Sequence, residues 1–239
     1  VKGCIENGID EKTANHIYDE MIDFARYAFN KSHAACYAVV AYQTAFLKYY
    51  YPKEFMAALM TSVMDNTTKV SEYILACRNM GIPILPPDIN EGYSGFSVSG
   101  NGIRYGLSAI KSVGRAVVDV IIAERESGGL FKNLDDFVSR MSNKEVNKRT
   151  LESFIKSGAL DTLPGTRKQK LIVSGDLLES KSKEKKTVME GQMSFFDIAP
   201  EEEKDNFHIT FPDVGEYDKQ TLLAFEKETI GIYVSGHPM

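Results

Sequence analysis

The run 34-AACYAVVAYQTAFLKYY-50 sets the hardest condition on this chain. Only Gln43, Thr44 and Lys48 interrupt a series of small, aliphatic and aromatic residues. Nothing in it breaks a helix, and as a helix it is apolar nearly all round, so it needs cover on every side. It is shorter than the roughly 20 apolar residues of a membrane span, so a deeply buried helix is expected. The preceding 29-FNKSH-33 is short and polar, and Ser32 can cap the helix. Asp10 can cap an earlier helix that reaches about Ala28, with Ile17, Met21, Phe24 and Ala28 on one face. Pro52 suits the first position of a following helix, and 53-KEFMAALMTSVM-64 supplies it. Asp65 or Asn66 can cap a fourth helix, with Val70, Tyr73, Ile74 and Cys77 as its stripe and Gly81 at its end.

The chemistry of the chain then changes. The segment 82-IPILPPDIN-90 holds three prolines and cannot be helical. Next, 96-FSVSGNGIRYG-106 alternates about a Gly-Asn-Gly turn, the pattern of a β-hairpin. From Leu107 to about Ser174 short helices are expected, broken at Gly114, Gly128-Gly129, Gly158 and Gly165. Residues 175 to about 212 carry charge runs and little apolar content, which reads as a linker. A helix from near Asp218 and a strand-like 232-IYV-234 close the chain.

Composition narrows the function classes. The 239 residues are 43% hydrophobic and 26% charged, an ordinary soluble balance. No apolar run reaches membrane length and the N-terminus has no signal-peptide pattern, so no membrane partner is expected. The chain starts at Val1 and ends at GHPM, and it is read as a piece of a longer protein. Cys4, Cys36 and Cys77 are scattered and odd in number, which suits free thiols in a reducing cytoplasm. The four histidines stand at no metal-ligand spacing with them, so no structural metal is expected. Net charge is -5, yet residues 100–170 hold 13 Lys/Arg against 8 Asp/Glu. A basic segment in an acidic chain is either a polyanion footprint or an ordinary mixed surface.

Three stretches could carry chemistry. In 107-LSAIKSVGRAVVDVII-122, apolar Leu107, Ile110 and Val113 lead to Gly114 and an apolar helix, the outline of a helix-hairpin-helix. Such a turn presents backbone N–H groups at a helix start, where they can hold a DNA phosphate. Lys111 and Arg115 flank it. Ser112 stands where a first hairpin glycine is usual. A second helical pair has turns at 157-SGALD-161 and 163-LPGTRKQK-170, with Arg167, Lys168 and Lys170 near a helix start. Two units in tandem favour sequence-independent duplex binding; a pair of plain αα-hairpins is the alternative. Asn30, Lys31, Ser32 and His33 precede a long helix, where Lys and a hydroxyl favour phosphate, although capping by Ser32 beside a surface Lys explains them locally. Asp135 and Asp136 open a helix and offset its dipole; no carboxylate cluster for two-metal chemistry accompanies them. Nor is there a Walker loop, a GxSxG elbow or a Cys/His nucleophile pair. By itself the chain is expected to be catalytically silent.

The run 28-AFNKSHAACYAVVAYQTAFLKYYYPKEFMAALMTSVMDN-66 closely resembles the fingers region of bacterial replicative DNA polymerase III alpha subunits. So, in order, do 80-MGIPILPPDIN-90, YGLSAIKSVG, 151-LESFIKSGALD-161 and 226-EKETIGIYVSGHP-238. The resemblance implies a mainly α fold: a multi-helix fingers portion over residues 1–92, then a small β-hairpin with a tandem helix-hairpin-helix module over 93–174. A charged linker follows over 175–216, and 217–239 leads toward an OB-like domain. It further implies a nucleotidyltransferase of chromosomal replication that extends DNA from deoxynucleoside triphosphates with Mg2+. The catalytic aspartates and the metal belong to a palm region that this chain lacks. Asn30, Lys31, Ser32 and His33 become candidates for the nucleotide and primer-template site, and Lys111, Ser112, Gly114, Arg115, Arg167 and Lys168 for duplex DNA. Other replisome subunits are implied partners. The competing readings are a non-enzymatic helix-hairpin-helix module of a repair protein and an error-prone paralogue of the polymerase.

The resemblance also bears on 191-GQMSFFDI-198, set between KSKEKK and EEEKD. Apolar side chains in so charged a neighbourhood either fold back onto their own protein or serve another. The string Gln192-Met193-Ser194-Phe195-Phe196 is similar to the peptide with which this family binds the sliding clamp. Met193 adapts to an uneven surface, and Phe195 and Phe196 are rigid anchors.

Overall fold

The computed structural model describes residues 1–26, 31–141, 146–189 and 210–236, the side chains of residue 26 and residues 182–189 excepted. Two compact units result, Val1–Tyr51 and Pro52–Met239. The first holds α1 (Lys2–Glu6), α2 (Glu11–Arg26) and α3 (Lys31–Tyr50). Asp10 caps α2 as its sequence position predicts, its Oδ1 accepting from the Thr13 amide at 3.0 Å. The α3 helix forms over the run that opened the sequence reading, but it starts at Lys31, so Ser32 lies inside its first turn.

The expected deep burial of that helix is not found. No residue of α3 is buried, and Tyr42 and Tyr49 are 70% and 78% exposed. Along α2, Ile17, Met21 and Phe24 are exposed as well. Apolarity all round states that a helix requires cover; it does not say which residues supply it.

The second unit is mainly helical around one core. It starts with α4 (Pro52–Ser62), with Pro52 at the first helical position, and α5 (Thr67–Asn79). Asn66 caps α5 through the Lys69 amide at 3.1 Å. Val70, Ile74 and Cys77 face the core, and burial pushes the Cys77 thiol up to about 11. The expected hairpin is present as β2 (Ser97–Ser99) and β3 (Gly102–Arg104), paired Ser97 to Arg104, Val98 to Ile103 and Ser99 to Gly102. The proline-rich segment adds a strand, β1 (Ile84–Leu85), parallel to β3, which gives the order β1-β3-β2. The α4 helix packs on β2 and β3, and α5 on β1. The core therefore runs through position 92, where a domain border was expected.

The remaining helices are α6 (Arg115–Gly128), α7 (Leu134–Met141), α8 (Lys148–Lys156), α9 (Arg167–Met189) and α10 (Lys219–Thr229). Phe131, Phe137 and Phe154 stack edge to face at centroid distances of 5.1 and 6.1 Å. Such pairs add about 0.5–1.5 kcal/mol beyond area burial. Asp136 is spent locally, accepting from the Lys132 amide and pairing with Arg140. The linker expected from residue 175 is helical to Met189 instead, because buried Ser174 and Leu177 and packing against α7 and α8 hold α9 together. Asp218 caps α10 through the Thr221 amide at 2.9 Å. The strand expected at 232–234 does not form: Val234 and Ser235 donate their amides to the Glu226 carboxylate, and the Tyr233 carbonyl accepts from Arg78.

Candidate nucleic-acid interface

The hairpin lies between a 3-10 turn, Leu107–Ala109, and α6. Leu107, Ile110 and Val113 are buried, so their burial pins the stem and leaves Lys111, Ser112, Gly114 and Arg115 exposed at the turn. Gly114 is the N-cap of α6 and brings no side-chain cap. The first amides of any helix have no intrahelical acceptor. Here they meet an exposed edge flanked by two cations, an arrangement suited to an anion.

Ser112 sits at φ 66°, left-handed backbone where glycine is the usual tenant. The turn thus keeps its shape without the glycine. It is held from two sides: the Lys111 amide donates to the Thr229 carbonyl at 2.8 Å, and the Thr150 hydroxyl shares its proton between Asn147 Oδ1 at 3.2 Å and the Ser112 carbonyl at 3.4 Å. Ser112→Gly is expected to stabilise the chain by about 0.5–1 kcal/mol, because relief of left-handed strain exceeds the added unfolded-state entropy. Urea unfolding with an unchanged m value checks this.

The second hairpin, between α8 and α9, is built differently. Arg167 is 7% exposed. Its guanidinium donates to Asp161 Oδ1 from Nε at 3.0 Å and to Oδ2 from Nη2 at 2.6 Å. It also reaches the Lys156 carbonyl at 3.1 Å and lies 3.7 Å from Glu226. The N-terminus of α9 already holds an anion, the Glu216 carboxylate, which accepts from the Arg167 and Lys168 amides at 2.8 and 3.1 Å. Lys168 lies over the Tyr217 ring, 5.6 Å from its centroid. Lys170 is fully buried and donates to the Leu160 and Leu163 carbonyls, both at 2.7 Å; burial lowers its ammonium to about 8. Phe211 lies against Gly165, whose φ of +92° and lack of a Cβ admit the ring. The chain's own 211–217 segment therefore covers this hairpin. Arg167 is buried and holds the fold, whereas Lys168 is half-buried with its ammonium over the Tyr217 ring.

A model described as a helix-hairpin-helix motif matches residues 81–170, the stretch from β1 to the start of α9. Proteins named DNA polymerase III subunit alpha match along all of this chain: 43% identical in Borreliella burgdorferi, 44% in Thermus aquaticus and 42% in Escherichia coli K12. The chain is homologous to one segment of DNA polymerase III alpha subunits. It spans about one fifth of their length, 21%, 19% and 20% respectively.

The other expected site residues do not belong to the hairpin. Lys31, Ser32 and His33 lie exposed in the first turn of α3, within the Val1–Tyr51 unit. The His33 ring stands 4.4 Å from that of Tyr37. Asn30 lies outside the described residues, as do Gln192, Met193, Ser194, Phe195 and Phe196. Among the described residues no helix is long and apolar enough to cross a membrane.

Beside the hairpin the structure also brings in a residue that the sequence reading did not single out. Arg149 lines a groove of about 380 Å³ together with Lys111 and Ser112. The string 147-NKRT-150 held a signal, a capping Asn followed by two cations. Only the fold shows that it meets a turn 38 positions upstream.

Proposed function

We propose that this chain is the part of a replicative DNA polymerase III alpha subunit that lines the nucleotide pocket, grips the primer-template duplex and docks the enzyme on its sliding clamp. The observation that carries the reading is the identity of 42–44% along the entire chain to subunits of that name. The parent activity is template-directed DNA synthesis from deoxynucleoside triphosphates. Its Mg2+ chemistry is assigned to palm carboxylates elsewhere in the parent. Among the described residues no three His, Cys, Asp or Glu are gathered to hold a metal, and no catalytic step is placed here.

Duplex contact belongs to the first hairpin. Uncapped amides at the start of α6 hold a backbone phosphate, and Lys111 and Arg115 add charge. All of these meet phosphate rather than base edges, so affinity is independent of DNA sequence. Lys31, Ser32 and His33, with Asn30, form the nucleotide-facing edge of the fingers portion. The string 192–196 is the clamp peptide, and tethering by it raises the effective concentration of polymerase at DNA.

The test is fluorescence anisotropy of this chain with a labelled duplex over a salt series. Lys111→Ala with Arg115→Glu is expected to weaken binding at least tenfold and to reduce the salt slope by about two. Unchanged affinity and slope would remove the hairpin from the account.

A further inference from the structure

The structure assigns a second phosphate seat to the groove beside the hairpin turn, with Arg149 as its cation. This rests on the reading that the hairpin holds DNA. The ligand is a phosphodiester of the same nucleic-acid strand.

Three observations meet in this groove. First, it is built from separate elements held in register. The turn supplies Lys111 and Ser112, α8 supplies Arg149, Glu152, Ser153 and Lys156, and the end of α10 supplies Glu228 and Thr229. Thr150, adjacent to Arg149, bonds the Ser112 carbonyl, and the Lys111 amide bonds the Thr229 carbonyl. Asn147 Oδ1 caps α8 by accepting from the Thr150 amide at 3.0 Å. The backbone that carries Arg149 is thereby set beside the turn.

Second, two of its three cations are unspent. Among the described residues neither the Lys111 ammonium nor the Arg149 guanidinium has a hydrogen-bond or ion-pair partner. Several other cations of the basic segment are committed. Lys156, also at this groove, pairs with Glu228 at 3.1 Å. Arg125 donates to the Ile89 and Gly92 carbonyls. Arg140 pairs with Glu124 and Asp136, and Arg167 and Lys170 are buried in the network described above.

Third, Ser153 lines the groove and its hydroxyl makes no hydrogen bond among the described residues, so it can donate to a ligand oxygen. Two free cations and a free hydroxyl beside an uncapped helix start match the acceptor-only oxygens of a phosphate. A single DNA strand repeats its phosphates about every 3.4 Å of rise, so a strand pinned at Gly114 passes a further phosphate to its surroundings. Glu152 also lines the groove and opposes an anion, which supplies a test of opposite sign.

The experiment uses the full 239-residue chain, a labelled duplex and a salt series. Arg149→Gln, at an exposed position, is expected to weaken binding about fivefold and to lower the salt slope by about one. Glu152→Gln is expected to tighten binding about twofold. Circular dichroism and Tm confirm the fold of each variant. Unchanged affinity and slope for Arg149→Gln while Lys111→Ala weakens binding would overturn the second seat and leave the hairpin reading standing. Unchanged affinity for both would overturn the two together. Pyrophosphate binding that needs Arg149, without any effect on duplex, would overturn the assignment to nucleic acid.

Discussion

Arg167→Ala is expected to lower stability by about 3–5 kcal/mol, the cost of stranding a buried charge. The Arg167 side chain is 8% exposed, and its neighbour Glu226 is 2% exposed. Asp161 is 48% exposed, and as a surface partner it would contribute little alone. The large effect comes from Glu226, which keeps the Val234 and Ser235 amides but loses its counter-charge. The Lys156 carbonyl loses its donor in the same step. At about 2–4 °C per kcal/mol for a unit of this size, Tm falls by roughly 10 °C. Urea unfolding measures the loss. Arg167→Met with Glu226→Gln should recover part of it, because the double variant buries no unpaired charge. A loss below about 1 kcal/mol for the single variant would show that the network is not holding the fold.

Phe195→Ala with Phe196→Ala is expected to reduce affinity for the sliding clamp by at least about a hundredfold, with no change in Tm. Each ring is worth roughly 1.5–3 kcal/mol when buried in a partner pocket, and aromatic anchors of this kind dominate interface energetics. Immobilised clamp and the full chain in surface plasmon resonance provide the measurement. Gln192→Ala should cost less, because a hydrogen-bonding amide exchanges bonds with water and contributes less net free energy than an apolar anchor. A fall in Tm alongside the loss would mean that the rings pack on their own protein. Retained affinity would end the docking role.

Secondary structure was legible wherever its cause lies within a few residues. Asp10, Asn66 and Asp218 cap helices because each side chain meets an amide three positions on. Pro52 starts α4, and the Gly-Asn-Gly turn makes a hairpin. The exposed cations of the first hairpin could be named in advance for the same reason, since Leu107, Ile110 and Val113 fix which side of that short turn is buried. What failed was decided by partners far away in sequence. Sequence cannot distinguish Arg167 from Arg149: both are cations near a helix start. The fold gives Arg167 to Asp161 and Glu226, puts Glu216 on the α9 amides from 49 positions downstream, and leaves Arg149 open beside Ser112.

By itself, then, the sequence determined where helices start, which short turn carries charge, and which polymerase family the chain resembles. Tertiary structure alone decided that Ile84–Leu85 joins the sheet, that α9 continues to Met189, and that Arg167 is withdrawn from solvent. Caps and periodicity act between residues a turn apart and leave a local pattern. Burial and charge neutralisation depend on which distant groups arrive, and no local pattern records that.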